Sequence, residues 1–273
     1  MSAAAAIPGR TRAGTVTQAH VLRSEWTKLR SLRSTRWSLL AAVVALAGLS
    51  MLIAAVQMSQ WSHMALHDRA SFSSIDSGVG GFHLAQLAVG VLGVLVISGE
   101  YTTGMIRSSF MAVPRRLPVL WAKLGVFSAV TFVLMLTFAF VGFFGVQAIV
   151  AGHHLDHAIS DPHALRVVVG TALFLTMLGA LGLGLGALVR NTAGGISAFV
   201  GLLFVLPGIT ALLPSSLGHT ISPYLPFNAG SAIATARFED ANHLAPWAGF
   251  GVLCIYTAVI VAAAAVRIVR RDA

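Results

Sequence analysis

Imidazole and carboxylate side chains crowd one short stretch of the chain: His153, His154, Asp156, His157, Asp161 and His163. Nitrogen and oxygen donors at such spacing can hold zinc or copper, which makes His153, His157 and His163 the candidate ligands. The chain carries a single cysteine, Cys254, and no second donor cluster, so the plainer reading is a solvated polar loop with no metal. His83 stands alone inside an apolar run, where a lone imidazole more often serves packing through a hydrogen bond than chemistry. Hydrolase chemistry has no residues to carry it: Gly-x-Ser-x-Gly, His-Glu-x-x-His and paired acids in an apolar run are all missing. A phosphate-binding loop needs glycine before a lysine and Ser or Thr after it, yet Lys28 and Lys123 are each followed by leucine. The expectation is a chain that is not an enzyme and binds no cofactor of its own.

The elements that must position these groups follow from composition. Hydrophobic residues make up 56% of the 273 residues, charged residues only 10%, and mean hydropathy is +0.82. A soluble domain needs about a quarter of its residues charged to solvate its surface. Lipid must cover most of this chain, and the expected fold is an all-α integral membrane protein. Six segments suffice to cross a hydrocarbon core of about 30 Å, which takes about 20 helical residues. They lie at about 37–57, 79–99, 122–150, 164–188, 193–213 and 246–267. Helices are favoured because no segment alternates with the period of a barrel strand and lipid demands internally satisfied backbones.

The net charge of +9 invites a nucleic-acid reading, but the basic residues are spread between the apolar runs. With both termini cytoplasmic, 15 of the 18 Lys and Arg fall on the inner side, leaving only Arg69, Arg166 and Arg237 outside. The two faces then carry about +12 and −3, so the charge is a topology signal and no nucleic acid is implied. The expected organisation is a disordered cytoplasmic tail at 1–17, an amphipathic helix at 18–36 and a six-span domain at 37–273. The bilayer interior is almost free of ionisable groups, which counts against an ion-coupled carrier. Small residues in the fourth span, Gly182 and Gly186 among them, predict close helix packing.

Two cytoplasmic pieces stand out. In residues 18–36, Leu22, Trp26 and Leu29 repeat at helical spacing, with Glu25 and Arg33 among the polar positions. That pattern predicts a basic amphipathic helix along an anionic leaflet, serving as a plain topology flank or as an elbow that also docks a partner. Between spans two and three, Ile106, Phe110 and Val113 repeat at helical spacing between Gly104 and Pro114. A short helix with one apolar face can insert into a groove on another protein, or simply lie on the membrane surface. Glu100 sits where span two leaves the bilayer.

Three segments carry a resemblance. Glu25-Trp26-Thr27-Lys28-Leu29-Arg30-Ser31-Leu32-Arg33-Ser34-Thr35-Arg36-Trp37 resembles the entry segment of actinobacterial type-2 ATP-binding-cassette (ABC) transporter permeases. Gly99-Glu100-Tyr101-Thr102-Thr103-Gly104-Met105-Ile106-Arg107 resembles the segment after their second span, and Leu188-Val189-Arg190-Asn191-Thr192-Ala193-Gly194-Gly195 their turn between spans four and five. The order and spacing match from about residue 17 to 271.

The resemblance implies an elbow helix, six spans and a short coupling helix at about 103–113. Thr103, Met105, Ile106, Arg107 and Phe110 would meet the partner there, with Glu100 beside them. It implies an outer segment at 214–245 that is partly re-entrant, and a dimer with a second permease copy or paralogue. It also implies separate ABC ATPase subunits that use ATP and Mg, and location in a bacterial cytoplasmic membrane. The function expected is export of an amphiphilic or hydrophobic substrate. A non-enzymatic membrane interaction or resistance factor, and an ATP-independent carrier, are the alternatives the residues leave open.

Overall fold

The computed structural model describes residues 17–31, 33–105, 117–238 and 242–270. Among the described residues every regular element is helical and there is no strand. Six helices there are long and apolar enough to cross a membrane: span one Arg33–Ser59, span two Ser74–Thr102, span three Leu117–His153, span four Ala164–Val189, span five Thr192–Thr210 and span six Pro246–Arg270. The architecture is that of a multi-pass membrane protein. Most of these helices run past the apolar stretches, because the backbone ladder continues into polar residues that hydropathy does not see. Span five instead stops at Thr210, three residues short of the expected end, and the chain turns there.

Span four is the axis. Its apolar window is 78% buried, against 17% for span five, and it packs on spans two, three, five and six. Glycine makes the closest of these contacts possible. A Cβ on Gly182 would lie 2.2 Å from the Gly90 carbonyl oxygen, and one on Gly93 would lie 2.1 Å from that of Gly179. Gly186 sits close against Val94 and Ile97, each 2.8 Å from where a Cβ would be. Spans two and four therefore touch backbone to backbone, which only missing side chains allow. Spans three, five and six keep broad apolar faces exposed, such as Val133, Val205 and Val259, as lipid-facing helices do.

Span one contains a π-helical turn, Val44–Gly48, at its contact with span two. Span two is interrupted at Gly80-Gly81, between the helices Ser74–Val79 and Phe82–Thr102. There the Gly81 N–H donates to Ser50 Oγ at 2.9 Å while that hydroxyl donates to the Leu46 carbonyl at 2.6 Å. The widened turn and the break thus satisfy each other's backbone groups.

Between spans five and six, the described residues include four short helices over 215–234. Pro226–Ser231 and Ala232–Ala234 are buried against spans four and six, with Gly170 and Gly249 giving room for the Ile233 and Ala229 carbonyls. Arg166 at the start of span four donates to the carbonyls of Ala232, Ile233 and Thr235 at 3.3, 3.2 and 3.0 Å. Those carbonyls terminate the short helices, so the guanidinium takes up acceptors that would otherwise lack a donor.

Candidate functional site

The first helix, Gln18–Ser31, lies across the starts of spans one and three and the end of span two. Its buried residues are Val21, Glu25 and Leu29. Beside the expected stripe of Leu22, Trp26 and Leu29 the helix thus has a second stripe, Val21, Glu25 and Leu29, that faces the bundle. Leu29 packs inward, while Leu22 and Trp26 are 40% and 47% exposed and suit the headgroup zone. Helix is described over Gln18–Ser31 and again from Arg33, where span one is counted; Leu32 lies outside the described residues.

Glu25 is buried because it has partners. Its Oε2 accepts from Lys123 Nζ at 2.5 Å and its Oε1 from Lys28 Nζ at 2.7 Å. Both ammonium groups also reach Glu100 Oε1, Lys28 at 3.0 Å and Lys123 at 2.9 Å. Two carboxylates and two ammonium groups thus close a ring of zero net charge. The carboxylates and Lys123 are buried, and Lys28 lies at the ring's outer edge. Burial disfavours the Lys28 ammonium, but the two carboxylates outweigh it and raise its pKa above the ordinary 10.5. Beside the ring is a cavity of about 20 Å³ walled by Thr35, Val96 and Val126. It has room for about one water, and Glu100 Oε2 is buried without a hydrogen-bond partner among the described residues.

A second knot lies at the same end of the bundle. Arg190 has left-handed backbone, φ 60°, and closes span four; its guanidinium lies 5.3 Å over the Tyr101 ring and donates to the Arg267 carbonyl at 3.1 Å. Arg267 in return donates to the Leu188 carbonyl. Asn191 caps span five, its Oδ1 accepting from the Gly194 N–H at 2.8 Å, and Thr192 donates to Ser98 Oγ at 2.9 Å. Span two ends where Thr102 and Thr103 donate back to its last carbonyls and Gly104 takes φ +71°. The three segments that carry the family resemblance therefore converge on one end of the molecule, from different helices.

Of the residues expected to meet a partner, Glu100 is in the ring, and Thr103 and Met105 are exposed just beyond it. Ile106, Arg107 and Phe110, with Val113, lie outside the described residues. The ring members missing from the sequence reading are Lys28 and Lys123, which looked like ordinary cytoplasmic cations. A signal for them existed: the chain has 16 arginines but only two lysines, and both are in the ring with two of its three glutamates. A compact ammonium can be shared between two carboxylates in a small space, where a planar guanidinium would not fit the same geometry.

The histidine stretch is spent on local structure. His157 Nδ1 pairs with Asp161 Oδ2 at 2.9 Å, and the His157 N–H donates to Gln147 Oε1 at 2.9 Å. His154 and His163 take left-handed backbone at φ 58° and 74°, while His153 leans on Trp61. Among the described residues no group of three or more His, Cys, Asp or Glu gathers that could hold a metal ion. His83 departs from the hydrogen-bonded packing role read for it: the residue is exposed, its ring makes no hydrogen bond among the described residues, and it stacks on Phe82 at 4.1 Å. No family model matches this chain, and no curated protein matches it.

Proposed function

We propose that the chain is the membrane-spanning permease subunit of an ABC exporter in a bacterial cytoplasmic membrane. It would work with a second permease copy or paralogue and with separate ATPase subunits that hydrolyse ATP with Mg. The observation that supports this most is the ring of Glu25, Lys28, Glu100 and Lys123. Glu100 precedes the 103–113 segment and Lys123 follows it, so both stems of that segment are fastened to the elbow helix. Buried ion pairs add little net stability, since desolvation offsets most of their attraction. Their value here is positional. A displacement applied at 103–113 reaches spans one, two and three together, which is what a coupling element must do.

The arginine-rich end that holds both knots is cytoplasmic on this reading. The described interior between the two ends offers hydroxyl, amide and apolar groups, so the cargo is amphiphilic or hydrophobic. Charge reversal at Arg107, which the resemblance places at the partner contact, tests the coupling assignment. Arg107→Glu is expected to strip the ATPase from the chain during purification from membranes. Full recovery of the ATPase with undiminished turnover would remove the coupling role from this segment.

A further inference from the structure

The face of the bundle opposite the ring holds a cleft of about 790 Å³. Its floor is the start of span two, and its walls come from Gln57 at the end of span one, from residues 64–73 and from residues 222–238 and 242–244. Ligand sites for drug-sized molecules run from about 300 to 1,000 Å³ and combine apolar surface with a few convergent polar groups. Both parts are present. Phe72, Phe82, Phe227 and Phe238 line the cleft, and the His83 ring lies between Phe82 and Phe227 at 4.1 and 6.2 Å.

The polar groups have a sign. Gln57 Oε1 is buried and accepts no hydrogen bond among the described residues, a cost that a ligand's N–H would relieve. The Asp68 carboxylate stands exposed at the rim and is unpaired among the described residues. Asp76 has both oxygens committed, to the Ala236 and Arg237 backbone N–H groups. Arg237 is the only arginine or lysine among the lining residues described, and it donates to the Ala70 carbonyl at 2.7 Å. Asp76 also faces the Arg166 guanidinium, so the uncommitted charge of the cleft is the Asp68 carboxylate, over aromatic faces that attract cations.

We propose that this cleft binds an organic monocation: an ammonium group carried on an aromatic or branched apolar body of drug size. The ammonium N–H groups meet Gln57 and Asp68, and the apolar body lies on the phenylalanine rings. An anion would face the Asp68 carboxylate, and a neutral hydrocarbon would leave the Gln57 oxygen unmet. Binding itself follows from the cleft alone; only the statement that the ligand is cargo rests on the exporter reading.

The test uses the full chain in zwitterionic phosphatidylcholine nanodiscs, with rhodamine 6G as the cationic probe and fluorescein as the anionic one, read by fluorescence anisotropy. Saturable rhodamine 6G binding is expected, with fluorescein at least about tenfold weaker. Phe227→Ala and Asp68→Asn should each weaken rhodamine 6G about fivefold. Gln57→Glu, which turns the unmet oxygen into a carboxylate, should tighten it, a gain that misfolding cannot mimic. Equal affinity for the two probes, or rhodamine 6G binding unmoved by all three substitutions, overturns the proposal. Because no ATPase is present in this measurement, its failure leaves the exporter reading standing, and loss of the exporter reading leaves the cleft's chemistry standing.

Discussion

Lys123 is the residue on which the ring depends most, because it bridges both glutamates from within a buried position. Lys123→Met leaves the carboxylates with half their counter-charge in a site closed to solvent. Removing one partner of a buried pair costs about 3–5 kcal/mol. Adding Glu100→Gln should recover part of that loss, so that the double mutant is more stable than the two single costs summed. Denaturant titration of the purified protein measures this; simple additivity would show that the two side chains do not interact. Lys28 makes a different prediction. Its pKa is raised on folding, so its stabilisation is complete below 10.5 and lost as pH climbs through the folded value. The stability difference between wild type and Lys28→Met should be flat near neutral pH and shrink only in strong alkali. A difference that changed with pH near neutrality would place the titrating group elsewhere. Residue chemistry was the least legible in the sequence. Glu100 was conspicuous as an acid at a membrane boundary, but its lysine partners lie 72 and 23 residues away, and spacing along the chain does not encode such contacts.

At the scale of elements, the spans were legible because lipid imposes one rule on about 20 consecutive residues at a time. The first helix was legible as a helix with a leaflet-facing stripe, but not in the stripe it turns to the bundle. Val21, Glu25 and Leu29 make as regular a stripe as Leu22, Trp26 and Leu29, and only the presence of Lys123 decides that a glutamate can face inward. The interruptions in spans one and two left little trace, since Gly81 and Ser50 become meaningful only once they touch. Glycine spacing in span four did point to packing, and it supports a contrast. Gly182→Ala pushes a methyl group into the Gly90 carbonyl and should destabilise the bundle by about 1–3 kcal/mol. Gly125→Ala in span three meets nothing within 4 Å and should be neutral or stabilising by up to about 1 kcal/mol. Thermal unfolding of the two variants in one detergent checks this, and equal effects would mean that spans two and four are not in backbone contact.

At the scale of the whole molecule, the two ends differ in kind. One end is knotted by charge and by arginine–carbonyl bonds, and it carries the three segments that resemble ABC permeases. The other is open, with a cleft floored by the start of span two. Span four joins them, touching span two backbone to backbone at its glycines and ring to ring at Phe82 and Phe174, so motion at the knotted end has a stiff route to the cleft. If, as proposed, a separately encoded ATPase drives this motion, gentle affinity purification from the native membrane followed by mass spectrometry and an ATPase assay should recover it. The expected result is a nucleotide-binding subunit in roughly equal amount, with vanadate-sensitive turnover. Recovery of the chain alone, even after crosslinking through residues 103–113, would contradict it.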